Sequence, residues 1–240
     1  MTETASYPTH ATFGRFRLAA DPPRQIPSTF AARWRGAVAS LFADDPAFHG
    51  HVGDRTAPRY PEVHYRWVDG APAIFALGSA AQRVLAHPWP GTSLRLGDDE
   101  VTLVEVDFRA LAITRSFSRR LVRYELCAPW IALNQENFAR YRTESYATRR
   151  AELDRILVGN LLTMSQAFGW FFEPDETVYA AFEPAGEVTT SLKGVPLIGF
   201  EGTFVTNLAL SDGLAIGRSV SHGFGWFRRV APQSGSARGA

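Results

Sequence analysis

Val63-His64-Tyr65-Arg66-Trp67-Val68-Asp69-Gly70-Ala71-Pro72-Ala73-Ile74-Phe75-Ala76-Leu77 reads as a β-hairpin. Asp69-Gly70 tolerates φ > 0 at both positions, so it closes a tight turn between strands Val63–Val68 and Ala73–Leu77. Upstream, Phe13-Gly14-Arg15-Phe16-Arg17-Leu18 alternates apolar and basic residues, the period of a half-buried strand. A turn with Pro22, Pro23 and Pro27 follows, and Ser28 or Thr29 can cap a helix running to about Phe42. Its apolar positions Phe30, Trp34, Val38, Leu41 and Phe42 keep helical spacing, with Arg33 and Arg35 off that face. Downstream, Ser79-Ala80-Ala81-Gln82 has the spacing of a capping box, and Pro88 stops the short helix it opens. Ser93–Leu96, a Gly97-Asp98 turn and Glu100–Phe108 supply the last strands. Strand, helix, strand, strand, helix, strand is the ferredoxin-like order, with helices on one face of an antiparallel sheet.

The pattern restarts at Leu121–Leu126. A helix is predicted over Thr148–Phe168, with Leu153, Ile156, Leu157, Leu161, Met164 and Phe168 as its apolar stripe. Strands follow at about Thr177–Phe182 and Val195–Leu210, and Trp226–Val230 closes the pattern; its second helix is short or missing. The chain therefore reads as α+β, two tandem ferredoxin-like (RRM-like) domains with antiparallel sheets. The expected division is 1–120 and 121–230, with a disordered tail over 231–240. No flexible linker separates the halves, so they are expected to pack together.

The run Asp212–Arg229 holds Gly213, Gly217, Gly223 and Gly225, together with His222 and Arg218, Arg228 and Arg229. Glycine lets another backbone approach closely, and arginine beside such a loop suits an anion, phosphate above all. The alternative is a glycine-rich turn between two strands. Bulk composition is neutral on the choice: 25 basic residues face 24 acidic ones among 240. A single cysteine, Cys127, excludes an internal disulfide and a cysteine-based metal cluster. With no apolar run of spanning length and no signal-like N-terminus, the expected location is the cytoplasm, away from any membrane. No Gly-x-x-x-x-Gly-Lys loop and no Gly-x-Ser-x-Gly elbow are present, which weighs against an NTPase and an α/β-hydrolase.

His49-Gly50-His51 is the sharpest chemical constellation. In an extended segment residues i and i+2 share a side. Imidazole titrates near pH 6.5 when unperturbed, so the pair can exchange protons at neutral pH or bind a metal in company with further ligands. A metal-dependent hydrolase built on this pair stays open at this point.

Several stretches together resemble one family. Phe48-His49-Gly50-His51 and Tyr60-Pro61-Glu62-Val63-His64-Tyr65 resemble the His-Asn-His and Tyr-Pro-x-x-Gln-Tyr segments of the CRISPR-associated endoribonucleases that cut repeat RNA in precursor transcripts. Trp130-Ile131-Ala132-Leu133-Asn134-Gln135-Glu136-Asn137 is similar to their Trp-x-Ala-Leu-Asn-Gln-Glu-Asn stretch, and Gly159-Asn160 to their Leu-x-Gly-Asn helix. The glycine-rich run resembles their C-terminal loop ending Ser-x-Gly-Phe-Gly. The likeness is to the type I-B and type III branch of the repeat-associated superfamily. Gly50 replaces a frequent Asn, and His222 a frequent Arg or Lys.

The resemblance implies metal-independent cleavage with no cofactor. The RNA's own 2′-hydroxyl attacks, leaving a 2′,3′-cyclic phosphate and a 5′-hydroxyl. Carried over residue by residue, His51 is the first candidate acid or base, with His49 as partner and Tyr60 as a third catalytic candidate. Arg33, Arg35, Gly213, Gly217, Arg218, His222, Gly223 and Gly225 are expected to contact RNA. The implied partner is CRISPR repeat RNA, with other interference-complex subunits and a second copy of the chain as further partners. The alternative is a non-catalytic RNA-binding subunit of an interference complex.

Overall fold

A computed structural model describes residues 10–19, 30–49, 60–192 and 195–231. Strand β1 (His10–Ala19) leads to helix α1 (Phe30–Leu41) and a single helical turn, α2 (Pro46–His49). The hairpin β2 (Val63–Val68) and β3 (Ala71–Leu77) follows, then α3 (Gly78–Ala86), β4 (Ser93–Leu96) and β5 (Asp99–Ala112). These strands form one sheet in the order β2-β3-β1-β5-β4, antiparallel throughout. Asp69 and Gly70 sit at φ 48° and 76°, the left-handed pair that the tight hairpin needs.

The second unit starts with β6 (Arg115–Leu126) and continues through α4 (Gln135–Thr143), α5 (Tyr146–Ala167), β7 (Ala180–Leu192) and β8 (Val195–Leu210). A 3-10 turn (Val220–His222) precedes β9 (Phe227–Arg229). This sheet runs β7-β8-β6-β9. Taking β6, β7, β8 and β9 as first to fourth strand, its order matches that of β1, β2, β3 and β5 in the first sheet. The two ferredoxin-like patterns are thus present. Where the second unit should have its second helix, it has the glycine-rich run and the 3-10 turn.

Strand β3 explains how the units join. Ile74 and Ala76 turn to the core beneath α1 and α3, with Phe16, Trp34, Val38, Val63 and Tyr65. Phe75 and Leu77 turn the other way, into a core shared with Leu157, Phe182, Phe204, Leu214 and Phe227 of the second unit. A strand alternates faces residue by residue, so β3 is buried on both sides and the first sheet is sandwiched between its own helices and the second unit.

Helix ends follow local chemistry. Asn134 Oδ1 accepts from the Asn137 amide at 2.7 Å and starts α4. Ser145 Oγ accepts from the Thr148 amide at 3.2 Å and starts α5. Leu153, Leu157, Leu161 and Met164 of α5 are buried, as their spacing predicts.

Four expectations change. The Ser79 capping box does not form: the chain passes from β3 into α3 through Gly78 at φ 52°, and the Ser79 hydroxyl turns to Glu62 at 3.4 Å. The strand expected from Thr177 begins at Ala180, because the Asn207 side chain bonds the Thr177 carbonyl and the Tyr179 amide. The division expected at residue 120 falls inside β6, and the chain changes sheets at Ile113-Thr114. Helix α4 has no counterpart among the expected elements; it is short, and its polar Gln135–Thr143 sequence gives only a weak stripe. The Ser28 or Thr29 cap and the tail from Gln233 lie outside the described residues.

Candidate functional site

The histidine pair divides at the edge of the described residues. Gly50 and His51 lie outside them, while His49 ends α2. His49 Nε2 lies 3.0 Å from the Phe42 carbonyl. A carbonyl only accepts, so Nε2 carries a hydrogen and donates it. The His49 carbonyl accepts from Arg35 Nη2 at 2.8 Å, and the neighbouring Phe48 carbonyl accepts from the buried Tyr65 hydroxyl at 3.0 Å. The entry to the segment 50–59 is therefore fastened to both α1 and β2.

Its exit is fastened as firmly. Tyr60 packs its ring against His64 and Phe168. Its hydroxyl donates to the Ala215 carbonyl and accepts from the Ala215 amide, both at 3.0 Å. Burial raises the phenol's pKa well above its ordinary value of 10. Any proton transfer from Tyr60 to a substrate would have to break its hydrogen bond to the Ala215 carbonyl.

Beside it, β2 sends His64 and Arg66 toward the second unit. Both are buried, at 0% and 1% exposure. His64 Nε2 meets the Pro61 carbonyl at 3.0 Å, and Nδ1 meets Arg66 Nη2 at 3.0 Å. With one nitrogen facing an acceptor and the other a cationic donor, the ring is the neutral Nε2–H tautomer. Burial, then the Arg66 charge, hold its pKa well below 6.5. Arg66 also donates to the Gly213 carbonyl, and burial lowers its own pKa to about 9.

The glycine-rich run forms a strap of two legs. Gly213 N–H bonds the Phe227 carbonyl, Phe227 N–H the Leu214 carbonyl, and Ile216 N–H the Gly225 carbonyl, each at 3.0 Å. At the far end, the 3-10 turn packs against β2 and α1. Gly223, at φ 89°, lies so close to β2 that an added Cβ would stand 2.6 Å from the Tyr65 carbonyl oxygen. Gly225, at φ 65°, would drive a Cβ into the Ile216 carbonyl.

The expectation that the glycines themselves hold RNA is narrowed by these contacts. The amides of Gly213, Gly223 and Gly225 donate to the protein's own carbonyls of Phe227, Val220 and Pro129. A Cβ on Gly217 would meet the Trp130 ring. Of the other expected RNA contacts in the run, Arg218 is exposed and His222 is half-buried, with Nδ1 3.2 Å from Ser221 Oγ.

Arg33 and Arg35, two residues apart on one helix, point to different sides. Arg35 joins the site through His49, while the exposed Arg33 lies along Gly97 at the β4–β5 turn. Arg35 thus meets His49, Tyr60 meets the strap, and Arg33 lies at the β4–β5 turn. His64 and Arg66 were absent from the expected site. A histidine and an arginine at i and i+2 on one face of a strand were the available signal. Among the described residues, no group of three or more His, Cys, Asp or Glu is placed to hold a metal ion. No described helix is long and apolar enough to cross a membrane.

The family description of the Cas6b N-terminal domain matches residues 13–112, and that of the Cas6b C-terminal domain matches residues 116–230. The chain belongs to the Cas6b family. A crystal structure of Cas6b superposes with a TM-score of 0.78 at 25% identity, covering 92% of this chain and all of that one. A second crystal structure, of the CRISPR RNA processing endoribonuclease Cas6b, has a TM-score of 0.69 at 24% identity and shares the fold over 92% of this chain and 99% of its own. An uncharacterised protein of Methanocaldococcus jannaschii is 35% identical over 113 residues, 47% of this chain and 76% of the relative. The Cas6b match covers both ferredoxin-like units, the histidine pair and the strap.

Proposed function

We propose that this Cas6b chain is an endoribonuclease that cuts CRISPR repeat RNA in precursor transcripts without a metal ion. The 2′-hydroxyl beside the scissile phosphate attacks phosphorus and gives up its proton to a base. The bond from phosphorus to the 5′-oxygen breaks, and that oxygen takes a proton from an acid. The products are a 2′,3′-cyclic phosphate and a 5′-hydroxyl. Proton transfer by a placed imidazole contributes about 10²–10⁴-fold to such a step.

His51 is the proposed acid or base. His49, whose Nε2–H is spent on Phe42, orients the segment. Tyr60 positions, through Ala215, the strap that presents Arg218 and His222 to the RNA backbone. The observation that carries this reading is that both ends of the segment bearing His51 are tied to β2 or to the strap docked on β2.

The test is incubation with repeat RNA in excess chelator. Cleavage is expected to persist, and its loss in chelator refutes the metal-independent mechanism. RNA with a 2′-deoxyribose at the cut is expected to bind and stay intact. His51→Ala is expected to bind RNA but not cut it; unchanged cutting overturns the assignment. Wild-type protein that binds repeat RNA and never cuts it would instead be a non-catalytic subunit of an interference complex.

A further inference from the structure

We infer that Arg66 is a positioning residue that holds the strap in register on β2. The inference rests on the function proposed above. From β2, this one side chain reaches both legs of the strap. It donates to the Gly213 carbonyl on the outgoing leg, and its guanidinium lies 5.0 Å from the centre of the Trp226 ring on the returning leg. The Phe75 ring, 4.5 Å away, completes the sandwich, and His64 Nδ1 takes a further hydrogen bond.

Stability alone does not account for an arginine here. Its partners are a carbonyl, a neutral imidazole and two ring faces, none with a formal negative charge. Its Nε has no hydrogen-bond partner. A buried cation without a counter-charge is costly, and an apolar side chain of similar volume fills such a space at lower cost. What arginine supplies is geometry: a flat fork that stacks on two rings while bonding sideways in two directions.

Arg66 therefore acts through the strap. The same β2 backbone follows directly from Tyr60 and carries the Tyr65 carbonyl beneath Gly223. If the strap slides, Arg218 and His222 move relative to β2. Misplacement of reacting groups by about 1 Å costs up to about 100-fold in rate.

The test uses the full chain with Arg66→Met and Arg66→Lys. Cutting is measured in single turnover at saturating protein, with amide exchange at Gly213, Ala215 and Phe227 as an independent readout. Arg66→Met is expected to give a cooperative melt, faster exchange at those amides, and a saturated rate lower by about 100-fold. Arg66→Lys is expected to fall between it and wild type. Folded Arg66→Met that cuts at the wild-type saturated rate, or keeps wild-type strap exchange, overturns the inference. If Arg66→Met does not fold, Arg66→Lys and Trp226→Leu decide the matter by the same two readouts. If wild type cuts no repeat RNA, the functional reading fails, while the exchange data still report whether Arg66 holds the strap.

Discussion

The Tyr60 hydroxyl and the Ala215 peptide, 155 residues apart, share two hydrogen bonds, one in each direction. Tyr60→Phe removes both and leaves a buried N–H and carbonyl unsatisfied. The expected loss of stability is about 1–3 kcal/mol, read from urea unfolding. Cutting of repeat RNA is expected to slow, with product ends unchanged. Abolished cutting at undiminished stability would give Tyr60 a direct part in the reaction.

Gly225→Ala meets two obstacles at once. The backbone stands at φ 65°, and the new methyl collides with the Ile216 carbonyl across the strap. A collision with backbone cannot be relieved by rotating a side chain. The expected cost is above about 2 kcal/mol in chemical denaturation. Gly159→Ala, in a helix and facing open space, is the control and should leave stability level or raised, by up to about 1 kcal/mol.

His64 makes stability depend on pH in a defined direction. Its folded pKa lies well below 6.5, so between that value and 6.5 the unfolded chain holds one more proton than the folded one. Stability from this group is present above pH 6.5 and is lost as pH falls through the window, by about 1.4 kcal/mol per unit. Comparing wild type with His64→Gln at pH 5 and 7.5 isolates it from the carboxylates. The wild-type protein is expected to lose more stability at pH 5; equal losses would contradict a neutral buried His64.

Arg218 is an exposed cation between the two legs of the strap. If it contacts a phosphate, Arg218→Ala weakens binding of uncleavable repeat RNA and lowers the slope of log affinity against log salt by about 0.7–0.9. A drop in affinity with an unchanged slope would point to a contact with a base. Arg33→Ala, beside the β4–β5 turn, is expected to change neither.

Much of the fold was legible because its signals are local. Asp69-Gly70 specifies a tight hairpin wherever it stands, and Leu153, Leu157, Leu161 and Met164 specify a helix face by spacing alone. Helix α4 was not legible because a cap at Asn134 and nine mostly polar residues carry little periodicity. The delayed start of β7 was hidden too, since Asn207, 28 residues beyond Tyr179, decides it.

The candidate site divides along the same line. Residue types and spacing alone marked the histidine pair, the glycine-rich run and the ferredoxin-like order, all properties of neighbouring residues. Only the tertiary structure decided what the glycines are for. Gly223 and Gly225 pack against backbone carbonyls at Tyr65 and Ile216, and the Gly213 carbonyl receives Arg66 from another sheet. Such contacts depend on which chain segments meet in space. Joining β2 to a strap some 150 residues away took the burial of Phe75 and Leu77 against the second unit, which no local pattern encodes.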